Sequence, residues 1–108
     1  MKKLLVCLLL VVCAFAFTSC GGNKGVVVGV LQTATHSALD NAKDGFIEAL
    51  KANGYADAEF VVKNPEGDQT TMNTMATDLV RKSDIVLGIG TPAAVALQNA
   101  RDAEQIDI

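Results

Sequence analysis

Val26-Val27-Val28-Gly29-Val30-Leu31 is the stretch that decides the fold, because it is β-branched, apolar and continuous. A continuous apolar run, unlike an alternating one, is typical of a strand that is buried on both faces. Two further apolar segments, Glu59–Lys63 and Ile85–Ile89, are predicted to be strands, the latter also buried. Ile106–Ile108 is the predicted start of a fourth strand, so we expect the chain to be the N-terminal part of a longer protein.

Three segments with apolar residues at helical spacing separate these strands. Ser37 is predicted to cap the first helix, with Asp40 three residues later, and Gly54 to end it. Asp68 is predicted to cap the second helix, and Thr91 the third, with Pro92 at its first position. The alternation of strands and helices predicts an α/β fold, a parallel sheet with helices on both faces. The predicted inward-facing residues are Leu39, Ala42, Phe46, Ala49 and Leu50, then Met72, Met75, Ala76 and Leu79, then Ala93, Ala96, Leu97 and Ala100.

The first 19 residues have the composition of a secretory signal peptide. Lys2 and Lys3 precede an unbroken apolar run of 14 residues, Leu4–Phe17, and small residues follow it. The run is shorter than the roughly 20 apolar residues that a membrane-spanning helix needs. We therefore expect residues 1–19 to direct export and to be removed.

Cys20 is the cysteine that would remain after this cleavage, since Cys7 and Cys13 lie inside the apolar run. Phe17-Thr18-Ser19-Cys20-Gly21 resembles the lipobox of bacterial lipoproteins, in which the cysteine is lipidated and becomes the new N-terminus. The resemblance implies that residues 20–25 form a short lipidated tether, and that the protein is exported and anchored to the cell membrane. The alternative is a plain cleaved signal with an incidental thiol.

Charge and residue content exclude several classes of function. The net charge is −3, and without Lys2 and Lys3 the chain has seven basic and twelve acidic residues. Such a chain lacks the basic patch that nucleic acid requires. With a single histidine, the sequence contains no His-rich metal-binding cluster and few of the side chains that acyl-transfer catalysis needs. We therefore expect neither an enzyme nor a metal or other cofactor.

Two polar loops are predicted at the carboxyl ends of strands, where open parallel sheets bind ligands. Gln32-Thr33-Ala34-Thr35-His36 follows the first strand, and Gly90-Thr91-Pro92-Ala93 follows the third and opens a helix whose N-terminus favours an anion. Each candidate also has a structural interpretation: Thr91 as a cap, Pro92 as a helix-starting residue, and the loop histidine as a cap or a solvated side chain.

The pattern Gly88-x-Gly90-x-x-Ala93 permits a different interpretation, a fragment of a dinucleotide-binding enzyme. It follows the third strand and not the first. Pro92 removes an N–H group where a pyrophosphate would need one. The export signal also disfavours this alternative.

Taken in order, scattered motifs resemble the substrate-binding lipoproteins of ABC importers, in the branch associated with tryptophan, tyrosine and related ligands. These motifs are Val28-Gly29-Val30-Leu31-Gln32-Thr33, His36-Ser37-Ala38-Leu39-Asp40, Gly45-Phe46 with Leu50, Gly54-Tyr55, Gly67-Asp68-Gln69 and Thr91-Pro92-Ala93-Ala94. The resemblance implies a type I-like periplasmic-binding-protein fold of two α/β lobes with ligand in the cleft. Residues 26–108 would be the truncated first lobe.

The same resemblance implies capture of a small ligand, such as an aromatic amino acid, for delivery to an ABC permease. It assigns ligand contact to Gln32, Thr33, His36, Thr91, Pro92 and Ala93. A ligand-sensing lobe of a receptor or regulator is the alternative, because one fold can serve transport and sensing.

Overall fold

The computed structural model describes residues 25–108, which contain one parallel sheet. Its strands are β1 (Val27–Gln32), β2 (Glu59–Lys63) and β3 (Ile85–Ile89). β1 lies in the middle, with Val28 opposite Phe60 of β2 and Ile85 of β3. The three strands therefore end at one edge of the sheet, which we call the carboxyl edge. The predicted α/β fold is confirmed.

A helix follows each strand: α1 (Ser37–Leu50), α2 (Gln69–Lys82) and α3 (Thr91–Glu104). α1 continues into a π-helical turn, Lys51–Tyr55, where Gly54 adopts the positive φ of 101° that suits a glycine at a helix end. Asp68 caps α2 as predicted, since its side chain accepts a hydrogen bond from Thr71 N at 2.9 Å.

The helices cover both faces of the sheet. α2 and α3 share one face with the side chain of Leu31 in a buried cluster that also contains Met72, Ala76, Leu79, Val80, Ala93, Ala96, Leu97 and Ala100. On the other face, Leu39, Phe46 and Leu50 of α1 pack against Val28, Val30 and Ile89. The inward faces predicted for α2 and α3 are confirmed, with Met75 partly buried. α1 has no fully buried residue, and the prediction is wrong for Ala42 and Ala49, which are exposed.

Close backbone approach explains why glycine occupies β3 at position 88. A Cβ atom there would lie 2.7 Å from Ala94 Cα and 2.8 Å from Ala94 N. Real Cβ atoms essentially never come this close to a backbone. Gly88 therefore lets α3 lie directly on the sheet.

Two predicted helix caps are wrong. Ser37 is the first residue of α1, and His36 is its cap, with Nδ1 accepting a hydrogen bond from Ala38 N at 3.1 Å. Gly90, not Thr91, is the N-cap of α3, and Pro92 is consequently the second helical residue. Gly90 has a φ of 94°, and a Cβ there would lie 2.5 Å from Thr33 Oγ1, so both backbone and space favour glycine.

The predicted fourth strand is also wrong, since residues 106–108 form no strand. Gln105 adopts a left-handed conformation at the end of α3, and Ile106 N donates to Arg101 O at 3.1 Å. Ile106 packs against the α2–α3 cluster, which is how an apolar residue commonly closes such a helix end. β3, predicted to be buried, lies at the edge of the described sheet, so Ile85 is 50% exposed.

The predicted signal peptide, residues 1–19, and Cys20 lie outside the described residues. Within residues 25–108, no helix combines the length and the apolar character needed to cross a bilayer.

Candidate functional site

Thr33 joins the two predicted ligand loops at the carboxyl edge. Its N–H and its hydroxyl both donate to the Ile89 carbonyl, at 3.0 Å and 2.9 Å. The same Oγ1 accepts a hydrogen bond from Ala93 N at 3.3 Å. Gln32 lies opposite Ile89 in the strand register, so the loops after β1 and β3 meet at one edge as expected from sequence.

Gln32 is the last residue of β1, and its side chain is buried beside the start of α1. Its amide Nε2 donates to Ala34 O at 2.8 Å and to Asp40 Oδ1 at 2.6 Å. Both partners are oxygens, so the orientation of the amide is fixed by its contacts. Asp40 therefore belongs to this edge, although the sequence suggested for it only a place in the capping pattern of α1.

The start of α3 offers a narrow set of donors. Pro92 has no N–H, and Ala93 N–H donates to Thr33 Oγ1. Of the first three helical amides, that leaves the N–H of Thr91, which is an exposed residue. Ala93 itself has a fully buried side chain, at 0% exposure, so that side chain cannot reach a ligand.

His36 and Pro92 are exposed at this edge. His36 Nδ1 is occupied as the acceptor that caps α1. In the neutral ring that accepts through Nδ1, Nε2 carries the hydrogen and is the atom able to donate to a ligand.

The loop after β2 forms a third side of this edge that the sequence analysis missed. Glu66 accepts hydrogen bonds from both the backbone N–H and the hydroxyl of Thr35. Asn64 Nδ2 donates to Thr35 Oγ1 at 3.1 Å, and Gly67 N donates to Thr33 O at 2.8 Å. The rule applied to the other two loops would have found Asn64, because it directly follows a parallel strand.

Asp68 begins α2 immediately after this loop. Hydrogen bonds from the hydroxyl and the N–H of Thr71 lower the pKa of its carboxyl group below the ordinary value. The carboxylate therefore acts as a helix cap, in agreement with the structural role predicted for it.

A concavity of about 300 Å³ lies at the opposite, amino edge of the sheet, lined by Val26, Val28, Phe46, Leu50, Tyr55, Asp84 and Ile85. Its charged side chain, Asp84, already accepts a hydrogen bond from Val27 N at 2.8 Å. Among the described residues that line it, none has a basic side chain, so this concavity offers no cationic partner for a carboxylate. The polar side chains predicted from the sequence as ligand contacts lie at the carboxyl edge, away from this concavity.

Neither a metal site nor a dinucleotide site is favoured. Among residues 25–108, no group of three His, Cys, Asp or Glu side chains could hold a metal ion. Gly88 and Gly90 are explained by their contacts with Ala94 and Thr33. With Pro92 and Ala93 unable to supply free N–H groups, α3 lacks the amide cradle that a pyrophosphate uses.

The family model described as "ABC transporter substrate binding protein" matches residues 27–106 of the chain. A tyrosine-binding protein of Clostridioides difficile (strain R20291) is 38% identical over 77 residues, which are 68% of this chain and 22% of that protein.

Two solved structures resemble the described fold. One is an ABC domain in complex with L-Trp from Streptococcus pneumoniae, with a TM-score of 0.67, 38% identity and coverage of 69% of this chain and 26% of that one. The other is a ligand-free, open substrate-binding protein with adhesive properties from Clostridium difficile, with a TM-score of 0.66, 32% identity and coverage of 69% and 27%. The chain thus spans about a quarter of the length of these relatives.

Proposed function

The chain belongs to the family of ABC transporter substrate-binding proteins, and on that premise we propose that it captures an aromatic amino acid outside the cytoplasm and delivers it to an ABC permease. Relatives described as tyrosine-binding and as complexed with L-Trp support this class of ligand. Capture is binding without chemistry, so the proposed function is not enzymatic.

The observation that carries the proposal is the meeting of the β1 and β3 loops through Thr33. Its hydroxyl contacts Ile89 O and Ala93 N, and so holds Gln32 and Thr91 on either side of one junction. The proposed ligand contacts are Gln32, Thr33, His36, Thr91 and Pro92. Ala93, the remaining candidate from the sequence, supports the site through its hydrogen bond to Thr33 and does not contact the ligand in this proposal. The N–H and hydroxyl of Thr91 suit a ligand carboxylate.

Residues 26–108 would form most of the first lobe in this proposal, and a second lobe in the complete protein would close over the carboxyl edge. Cleavage after residue 19 and lipidation of Cys20 would leave residues 20–25 as a tether to the membrane. A single acyl chain gives only marginal membrane binding, so stable anchoring would need a second signal, such as a second acyl chain.

Isothermal titration calorimetry of the complete protein with L-Trp and L-Tyr tests the function. We expect saturable binding that Gln32→Ala and Thr91→Ala each weaken by about 1–3 kcal/mol through loss of polar contacts. Gln98→Ala, on the exposed surface of α3, is the matched control and keeps wild-type affinity. The proposal is contradicted if neither L-Trp nor L-Tyr binds. It is also contradicted if Gln32→Ala and Thr91→Ala bind as tightly as the control Gln98→Ala.

His36→Asn separates ligand contact from helix capping at that position. Asparagine is a good N-cap, so α1 keeps its first-turn acceptor. The substituted side chain lacks the ring N–H, so we expect unchanged thermal stability with weaker binding. If His36→Asn binds the ligand with unchanged affinity, His36 acts as a helix cap and does not contact the ligand.

A further inference from the structure

Gln32 has a buried polar side chain whose carbonyl oxygen Oε1 has no hydrogen-bond donor among the described residues. Gln32 is 2% exposed, and its Nε2 group donates one hydrogen bond to Ala34 O and one to Asp40 Oδ1. Within residues 25–108, no group donates to its carbonyl oxygen Oε1. Oε1 therefore remains as the acceptor of the Gln32 amide, at the carboxyl end of β1.

The hydrogen bonds of Gln32 therefore fix its polarity toward a ligand. With both amide hydrogens used inside the protein, Oε1 can only accept a hydrogen bond. Asp40 adds to this character, because Oδ1 accepts from Gln32 while its second oxygen keeps its acceptor capacity. Two lysines of the neighbouring segments have other acidic partners. Lys43, one turn further along α1, forms an ion pair with Asp44 at 3.4 Å, and Lys63 lies near Asp78.

We infer that Gln32 Oε1 and the Asp40 carboxylate together bind the α-ammonium group of the ligand and select amino acids against the corresponding deaminated acids. This inference rests on the proposed function and specifies which end of the ligand meets which helix. Acceptors stand at the α1 side of Thr33, and the donors of Thr91 stand at the α3 side. A zwitterion is the ligand that satisfies both sides at once.

Deaminated analogues test the inference in the complete protein. The affinities of L-Trp and indole-3-propionate are compared by calorimetry, as are those of L-Tyr and 3-(4-hydroxyphenyl)propionate. Each acid retains the ring and the carboxylate and lacks only the ammonium group. Because hydrogen bonds between charged groups are the strong ones, we expect the amino acid to bind about 10- to 100-fold more tightly.

Asp40→Asn assigns that preference to this pair of residues. The substituted amide keeps an oxygen for Gln32 Nε2 and removes the charge, so folding is retained, as a thermal melt verifies. We expect it to weaken amino-acid binding at least about tenfold and to leave binding of the deaminated acid unchanged. Asp44→Asn, the same change of charge one turn along α1, leaves both affinities unchanged.

The outcomes distinguish this inference from the function it rests on. If no aromatic amino acid binds, the proposed function fails and the inference fails with it. If amino acids bind but their preference over the deaminated acids is absent, or is equal in the Asp40→Asn and Asp44→Asn variants, the function stands and the inference is overturned.

Discussion

The Thr33 hydroxyl accepts a hydrogen bond from Ala93 N at 3.3 Å, across 60 positions of the chain. Through this contact, a residue that follows β1 supplies the cap that the N-cap of α3, Gly90, has no side chain to provide. The same hydroxyl donates to Ile89 O at 2.9 Å, so it ties the end of β3 to the same junction. This one side chain therefore links both loops of the proposed ligand site.

Replacement of Thr33 by valine should destabilise the protein by about 1–3 kcal/mol. Valine has the shape of threonine, but it leaves Ala93 N–H without its acceptor and removes the donor to Ile89 O. Urea denaturation of the complete protein measures the loss, with Thr33→Ser as the control that keeps the hydroxyl. Equal stability of the two variants would show that the hydroxyl does not hold the loops together.

Two glycine-to-alanine substitutions should have opposite effects. Gly45 lies within α1 with nothing within 4 Å of an added Cβ, so alanine should stabilise the helix by about 0.5–1 kcal/mol. Gly88→Ala would force a Cβ to within 2.7 Å of Ala94 Cα and should cost about 1–3 kcal/mol. Thermal unfolding of both variants checks the packing of α3 on β3, and a neutral Gly88→Ala would contradict it.

Asp68 should contribute to loss of stability in acid. Hydrogen bonds from Thr71 lower the pKa of Asp68 in the folded state. Its stabilising contribution is therefore complete above the unfolded pKa, near 3.9, and is lost as the pH falls through the lower folded value. Asp68→Asn keeps a capping oxygen without a titrating group. Urea midpoints between about pH 5 and pH 2 should fall less steeply for this variant, and identical slopes would refute the assignment.

Cys20→Ser should release the protein from the membrane. Serine provides no thiol for lipid attachment, so fractionation of expressing bacteria should move the protein from the membrane pellet to the soluble fraction. Mass spectrometry of the wild-type protein should find an acylated N-terminal cysteine. An unmodified N-terminus on a soluble wild-type protein would contradict the predicted anchor.

Apolar runs and periodicity were sufficient to predict the framework. Glu59–Lys63 and Ile85–Ile89 coincide with β2 and β3 residue for residue. Burial of β1 follows from its continuous apolar character, and the cap at Asp68 follows from a local pattern. These features depend on neighbours in sequence, so sequence contains the information that specifies them.

The predictions that failed depend on contacts between distant residues. Thr91 has the local pattern of a cap, but Thr33 provides the hydroxyl from another loop, and Gly90 takes the N-cap position because of that approach. Ile106 packs against the core where it closes α3. In the sequence, an apolar residue in this role has the same pattern as the start of a strand. Asp40 lies at the proposed site because the side chain of Gln32 is buried against the first turn of α1.

A crystal structure of the complete protein with L-Trp bound tests the central claim most directly. We expect the ligand at the carboxyl edge, with its carboxylate within hydrogen-bond distance of Thr91 and its ammonium group at Gln32 and Asp40. A ligand seated instead in the apolar concavity at the amino edge, beside Phe46 and Ile85, would contradict the account.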